Sequence, residues 1–196
     1  MLQASQVALE SWCCGTEKKC YLQNFALLRD ISIPECFSKG GAVRAGLYFE
    51  EFKVGMIFDH PMHRTITEAD NVLFSTMTHN PSPLHLDAEY MKKSQFGQRL
   101  VNSCLTLSMM VGISIGDTTL GTTIANLGWD KVRFPKPLFH GDTIRVQTEV
   151  IEVRESRSKP DRGVVTFIHR CFNQHDEEVA SCQRIALMHK KPSSKK

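Results

Sequence analysis

The chain has 196 residues, 41% of them hydrophobic and 23% charged, which allows one well-buried domain and excludes both a disordered chain and a small disulfide scaffold. The formal charge of +3 is small and the basic residues are spread along the chain, which argues against a nucleic-acid binder. No apolar run approaches the roughly 20 residues needed to cross a bilayer, so no membrane span is expected and the protein is expected to be soluble.

In chain order, residues 1–46 lack sustained periodicity and read as an N-terminal extension, either a disordered leader or a targeting segment. Lys18, Lys19, Arg29, Lys39 and Arg44 suit a mitochondrial transit segment, whereas Glu10, Glu17, Asp30 and Glu35 weaken that reading. The extension holds Cys13, Cys14, Cys20 and Cys36; with Cys104, Cys171 and Cys182 the count is seven, odd and without repeated pairs, which points to a reducing compartment. No metal site is expected, since Cys36 alone cannot complete a ligand set.

A domain over 47–190 follows. Phe49, Phe52, Val54, Met56 and Phe58 suggest an opening extended segment with a turn at Gly55. Thr67 and Asp70 form a helix-entry pair for a short helix whose apolar face is Val72, Leu73, Thr76 and Met77, ending near Pro81. Asp87 reads as the N-cap of another short helix bearing Tyr90 and Met91 and stopped by Gly97. Leu100–Ile115 is apolar almost all round, the pattern of a core helix buried on most of its circumference. Five strands are predicted after it: Thr122–Leu127, Trp129–Phe134, Thr143–Val153, Val164–Asn173 and Val179–His189, with a turn over Lys159–Gly163 before the fourth. Residues 191–196 are a basic, solvated tail. A buried helix followed by long strands implies an α+β domain, an antiparallel sheet wrapped around that helix. Its open side and edge make a two-fold homodimer the expected assembly.

The informative stretch is Thr78–Asp87, THNPSPLHLD. Pro81 and Pro83 stiffen the chain between Asn80 and His85, so two polar side chains can be held in a set relation. Two readings stand side by side: an active-site loop, or an Asn80 that merely starts a turn with a His85 that fills a polar niche.

NPSPLHLDAEYM followed by FGQRLVNSCLTLSMMVG resembles the MaoC-like, R-specific enoyl-CoA hydratase family. GDTTLGTTIANLGWDKVRFPKPLFHGDTIRV is similar to its mesaconyl-CoA hydratase and β-methylmalyl-CoA dehydratase branch. The resemblance, from about Tyr48 to Met188, implies a single hot-dog fold, a homodimer, no cofactor, and reversible hydration of a short, methyl-branched dicarboxylic enoyl-CoA. It assigns catalysis to Asn80 and His85, the family's usual carboxylate position being Asn80 here, and thioester binding to Asn102, Ser103 and Cys104 at the start of the core helix. Arg99, Lys131 and Lys136 are candidates for the CoA phosphates, and Arg64 or Arg133 for a second carboxylate. An amide cannot take a proton at neutral pH, so His85 would act alone unless His79, Glu68, Asp70, Asp87 or Asp117 is recruited. His140, Gly141 and Asp142 read as a structural turn. An acyl-CoA thioesterase and a non-catalytic acyl-CoA binding protein are the alternatives, and the mitochondrial matrix or the cytoplasm the expected location.

Overall fold

Residues 46–192 are described in the structure, a computed structural model; the expected extension up to residue 45 and residues 193–196 of the tail lie outside the described residues. The helices start where the local chemistry says they should. Thr67 Oγ1 accepts from the Asp70 N–H at 3.2 Å while the Asp70 carboxylate accepts from the Thr67 N–H at 2.8 Å, a reciprocal cap that opens α1 (Glu68–Met77). This helix ends through His79, whose φ of 55° lets the Asn80 N–H reach the Ser75 carbonyl at 2.9 Å. Pro83 takes the first position of α2 (Pro83–Leu86), a single turn carrying His85, because its missing N–H costs nothing there. Asp87 caps α3 (Ala88–Lys92) by accepting from the Tyr90 N–H at 2.9 Å. Asn102 caps α4 (Ser103–Thr118) by accepting from the Cys104 N–H at 3.0 Å.

There are six strands, β1 (Ile57–Asp59), β2 (Arg64–Thr65), β3 (Thr123–Arg133), β4 (Thr143–Glu155), β5 (Arg162–Phe172) and β6 (Glu178–His189), with buried and less buried residues alternating most clearly along β4 and β6. They form an antiparallel sheet of order β1-β4-β5-β6-β3, with β2 pairing β4 beyond β1, so that β1 and β2 make one interrupted edge. β3 is the other edge. Helix α4 crosses the inner face of the sheet, packing Leu105, Met110 and Ile113 against Val146, Cys171 and Cys182. A second cluster gathers Phe49, Phe52, Val150, Phe167 and Met188. Gly163, expected in a turn, belongs to β5, and a side chain there would collide with the Phe49 ring.

Three expectations are corrected. The two strands expected over Thr122–Phe134 are one, because register shifts around Asn126 and Gly128 absorb the interruption without ending the pairing with β6. Helix α1 buries only part of its expected apolar face: Leu73 and Met77 are 69% and 67% exposed, while Phe74 packs against the core and Asn71 and Ser75 are fully buried. Beside Phe74 the inward face of α1 meets backbone carbonyls and an N–H group, which the Asn71 amide satisfies. Helix α4 is less enclosed than its composition suggests, since Cys104, Ser108, Gly112 and Gly116, spaced every four residues, form an exposed stripe. No described helix is long and apolar enough to cross a membrane.

Candidate active site

Where α2 meets the amino end of α4, the walls enclose a cavity of about 430 Å³. Leu84, Phe96, Leu100, Val101, Phe134 and Leu138 make most of it apolar; His85, Ser103, Thr106 and Lys136 are its polar groups. Such a lining, apolar with a few convergent polar groups, suits a small-molecule site. A larger concavity of about 560 Å³ lies against the turn between β4 and β5, but its walls carry four cations, Arg154, Arg157, Lys159 and Arg162, and no imidazole. Chemistry rather than size selects the first.

The state of His85 follows from its partner. Nδ1 lies 3.0 Å from the Leu100 carbonyl oxygen, which can only accept, so Nδ1 carries a proton, and Nε2, which holds the lone pair when the ring is neutral, has no partner among the described residues. The imidazole on the cavity wall is therefore in the tautomer of a base. Opposite, Ser103 is the first residue of α4, and its N–H has no partner inside the helix, as at every helix start. The positive end of the helix dipole and this free N–H together favour a carbonyl oxygen that gains negative charge.

The other expected site residues divide on geometry. Asn80 Oδ1 accepts from the Ser82 N–H at 3.1 Å, the Asx-turn of the plainer reading, so one of its lone pairs is used in shaping the loop. Both polar atoms of the Asn102 side chain have partners: Oδ1 caps Cys104, and Nδ2 donates to Ser75 Oγ at 3.3 Å. That cap consumes the Cys104 N–H, leaving Ser103 as the free donor of the three. Lys136 reaches the cavity wall, with its ammonium 3.5 Å from Glu177. Lys131 is exposed on β3 with φ 51°, outside the lining. Arg99 is paired with Glu68, whose carboxyl it holds below the usual range by hydrogen bond and charge. Neither Arg64, bound to Asp70 at 3.0 Å, nor Arg133 lines the cavity.

None of the carboxylates considered as substitutes for the absent acid reaches His85's cavity. Asp70 and Asp87 are caps, Glu68 is paired with Arg99, and Asp117 binds His60 Nδ1 at 3.0 Å near the far end of α4. His79 is exposed and closes α1 through its backbone. The Gly141 turn is structural as expected: its φ is 92°, and Asp142 accepts from the Phe139 N–H at 2.8 Å.

Two residues stand behind the site, Asn71, which sequence reasoning missed, and His140, which it read as part of a structural turn. Asn71, fully buried on α1, places Nδ2 within reach of three acceptors that share its two hydrogens, the carbonyls of His85 (3.3 Å) and Leu100 (3.1 Å) and His140 Nε2 (2.9 Å), and accepts through Oδ1 from the Asn102 N–H at 2.8 Å. Burial, then the charge of Arg99, pushes the His140 imidazole below its ordinary 6.5, with Glu68 opposing. The available signal was the polar pair Asn71 and Ser75, one turn apart among apolar neighbours.

An antiparallel sheet folded around one central helix defines a hot-dog-fold protein. A family model described as MaoC like domain matches residues 51–170, and the chain belongs to that family. It is 28% identical over 150 residues to the mesaconyl-CoA hydratase of Cereibacter sphaeroides, covering 76% of this chain and 43% of that protein. To the beta-methylmalyl-CoA dehydratase of Chloroflexus aurantiacus it is 29% identical over 147 residues, 74% of this chain and 41% of that one. The chain thus spans less than half the length of these two curated relatives. Among solved structures, a monoamine oxidase regulatory protein from Archaeoglobus fulgidus superposes with a TM-score of 0.68 at 35% identity, over 76% of this chain and 99% of that one.

Proposed function

We propose that the chain is a hydro-lyase that adds water reversibly across the double bond of a short 2-enoyl-CoA, with His85 as its single acid–base group. One observation carries the reading: His85 donates Nδ1–H to the Leu100 carbonyl, which leaves Nε2 without a partner on a residue that lines the same cavity as Ser103 at the start of α4. With the thioester oxygen at the Ser103 N–H, Nε2 takes a proton from water as its oxygen bonds to the β-carbon. The double-bond electrons move onto the thioester oxygen, forming an enolate that the helix end stabilises. The enolate then collapses, and the α-carbon takes the proton from Nε2–H, which restores the neutral imidazole. Asn80 is not among the residues lining the cavity, and its amide has no role as a base.

The names of the two curated relatives support a methyl-branched dicarboxylic acyl group, for which Lys136 is the one cation on the cavity wall. The β3 edge, unpaired among the described residues, with its exposed Leu127 and Trp129, together with the small-residue stripe of α4, supports a homodimer. The free thiols of Cys104, Cys171 and Cys182 accord with the mitochondrial matrix or the cytoplasm.

Crotonyl-CoA and mesaconyl-CoA should lose their enoyl absorbance with the purified protein, and His85→Ala should slow this by about 1,000-fold. No turnover of any enoyl-CoA by the intact protein rejects the reading, and release of free CoA thiol without loss of the double bond replaces it with a thioesterase.

A further inference from the structure

We infer that Asn71 is a positioning residue that locks His85 and the amino end of α4 into one geometry, and that His140 makes this lock proton-sensitive. The inference rests on the hydratase reading for its consequence in turnover, though not for its geometry.

The orientation of the Asn71 amide is over-determined. The Asn102 N–H can only donate, so the atom 2.8 Å from it is the amide oxygen. The His85 and Leu100 carbonyls can only accept, so the opposite atom is Nδ2. His140 Nε2, 2.9 Å from Nδ2, must therefore present its lone pair, and the His140 proton sits on Nδ1. One buried amide thus joins four segments: α1, the α2 turn bearing His85, the Leu100–Asn102 approach to α4, and the connection from β3 to β4. The Leu100 carbonyl is shared, taking both Asn71 Nδ2–H and His85 Nδ1–H, so the group that sets the tautomer of the base is itself held by Asn71.

Protonating His140 sets an N–H against an N–H. Rotating the amide offers no relief, since it would turn the NH2 group toward the Asn102 N–H and the oxygen toward two carbonyls. In a buried site such a conflict displaces one of the partners. The charged groups facing His140 are Glu68 from α1, which favours the proton, and Arg99 from the segment before α4, which opposes it. Asp142, within the same turn, is occupied by the Phe139 N–H and Gln174.

The test uses the full chain with 15N-labelled histidine and kinetics on crotonyl-CoA. Imidazole 15N shifts of the wild type should show the proton on Nδ1 in both His85 and His140, and Asn71→Ala should abolish that preference at His140. In the same variant kcat should fall by about 100-fold with KM changed far less, as for a base moved by about an ångström. The acid limb of kcat should be second order in protons in the wild type, because two imidazoles must both be neutral. His140→Gln, whose amide oxygen accepts from Nδ2 at any pH, should make it first order and recover the turnover that His140→Ala loses. A wild-type His140 protonated on Nε2, an Asn71→Ala protein with unchanged kcat, or an acid limb untouched by His140→Gln would each overturn the lock. If no enoyl-CoA is hydrated, the hydratase reading fails by itself and the nitrogen shifts still decide the geometry. If Asn71→Ala does not fold, the wild-type shifts and the His140 pair decide it.

Discussion

Helix α4 has a histidine network at each end, built from similar side chains and put to different uses. At the amino end His85 turns one nitrogen to a carbonyl and leaves the other on a cavity wall. At the carboxyl end Asp117 accepts from His60 Nδ1 at 3.0 Å, His60 Nε2 meets Thr148 Oγ1 at 2.8 Å, and Thr148 Oγ1 meets His169 Nδ1 at 2.8 Å. There His60 is 3% exposed and His169 0%, and no wall of the described cavities includes either ring. An imidazole becomes a catalytic group when one nitrogen is anchored and the other opens on space a substrate can fill. With both nitrogens enclosed by protein it is a structural cross-link. The carboxyl-end chain also has an electrostatic use, because Asp117 lies in the last turn of α4, where the helix dipole disfavours a carboxylate unless a donor such as His60 faces it.

Paired substitutions would break this contrast most forcefully. His85→Ala should cost about three orders of magnitude in turnover with little change in stability, whereas His60→Ala should cost about 3 kcal/mol of stability, measured by urea unfolding, and leave the kcat of folded protein near wild type. If His60→Ala removes turnover while the protein stays folded, the two ends of the helix are not separate in role.

Acid sharpens the comparison. Burial, and then the charges of Arg184 and His60, push the His169 imidazole from its ordinary 6.5 down to about 3. Its folded form therefore resists a proton that the unfolded chain accepts. The stabilisation from keeping it neutral is fully present above pH 6.5 and declines as pH falls from there toward about 3, at up to about 1.4 kcal/mol per pH unit. Denaturant midpoints measured over that window should fall in the wild type and less steeply in His169→Gln.

The smallest effect is expected at Asn80. Asn80→Asp keeps an oxygen to accept the Ser82 N–H, so the Asx-turn and the loop survive and only the chemistry changes. Stability should stay within about 0.5 kcal/mol, and kcat for hydration should rise by no more than about tenfold as a second proton acceptor joins His85. A large loss of turnover would mean that the amide hydrogen, not merely the turn, is needed.

Much of the site was legible where its cause lies within a few residues. Thr67 with Asp70, Asp87 with Tyr90, and Asn102 with Cys104 are caps readable from spacing. The Asx-turn at Asn80 was one of two readings left open, and it coexists with an His85 whose free nitrogen supports the other. Asn71 was not legible, because a helical asparagine carries no sign of carbonyls 14 and 29 residues away. Nor was the inward face of α1, where an apolar pattern pointed to Leu73 and Met77 and the buried backbone demanded Asn71 and Ser75 instead.

By itself the sequence determined most of the elements, their caps, the stiff turn bearing His85 and the family, since propensity, proline geometry and side-chain period act over one or two turns of chain. Tertiary structure decided which lone pair is free, which donor at the start of α4 remains unspent, and which histidine faces a cavity. Those depend on hydrogen bonds that buried groups must find across the fold, from Asn71 to Asn102 or from His60 to Asp117, 57 residues apart.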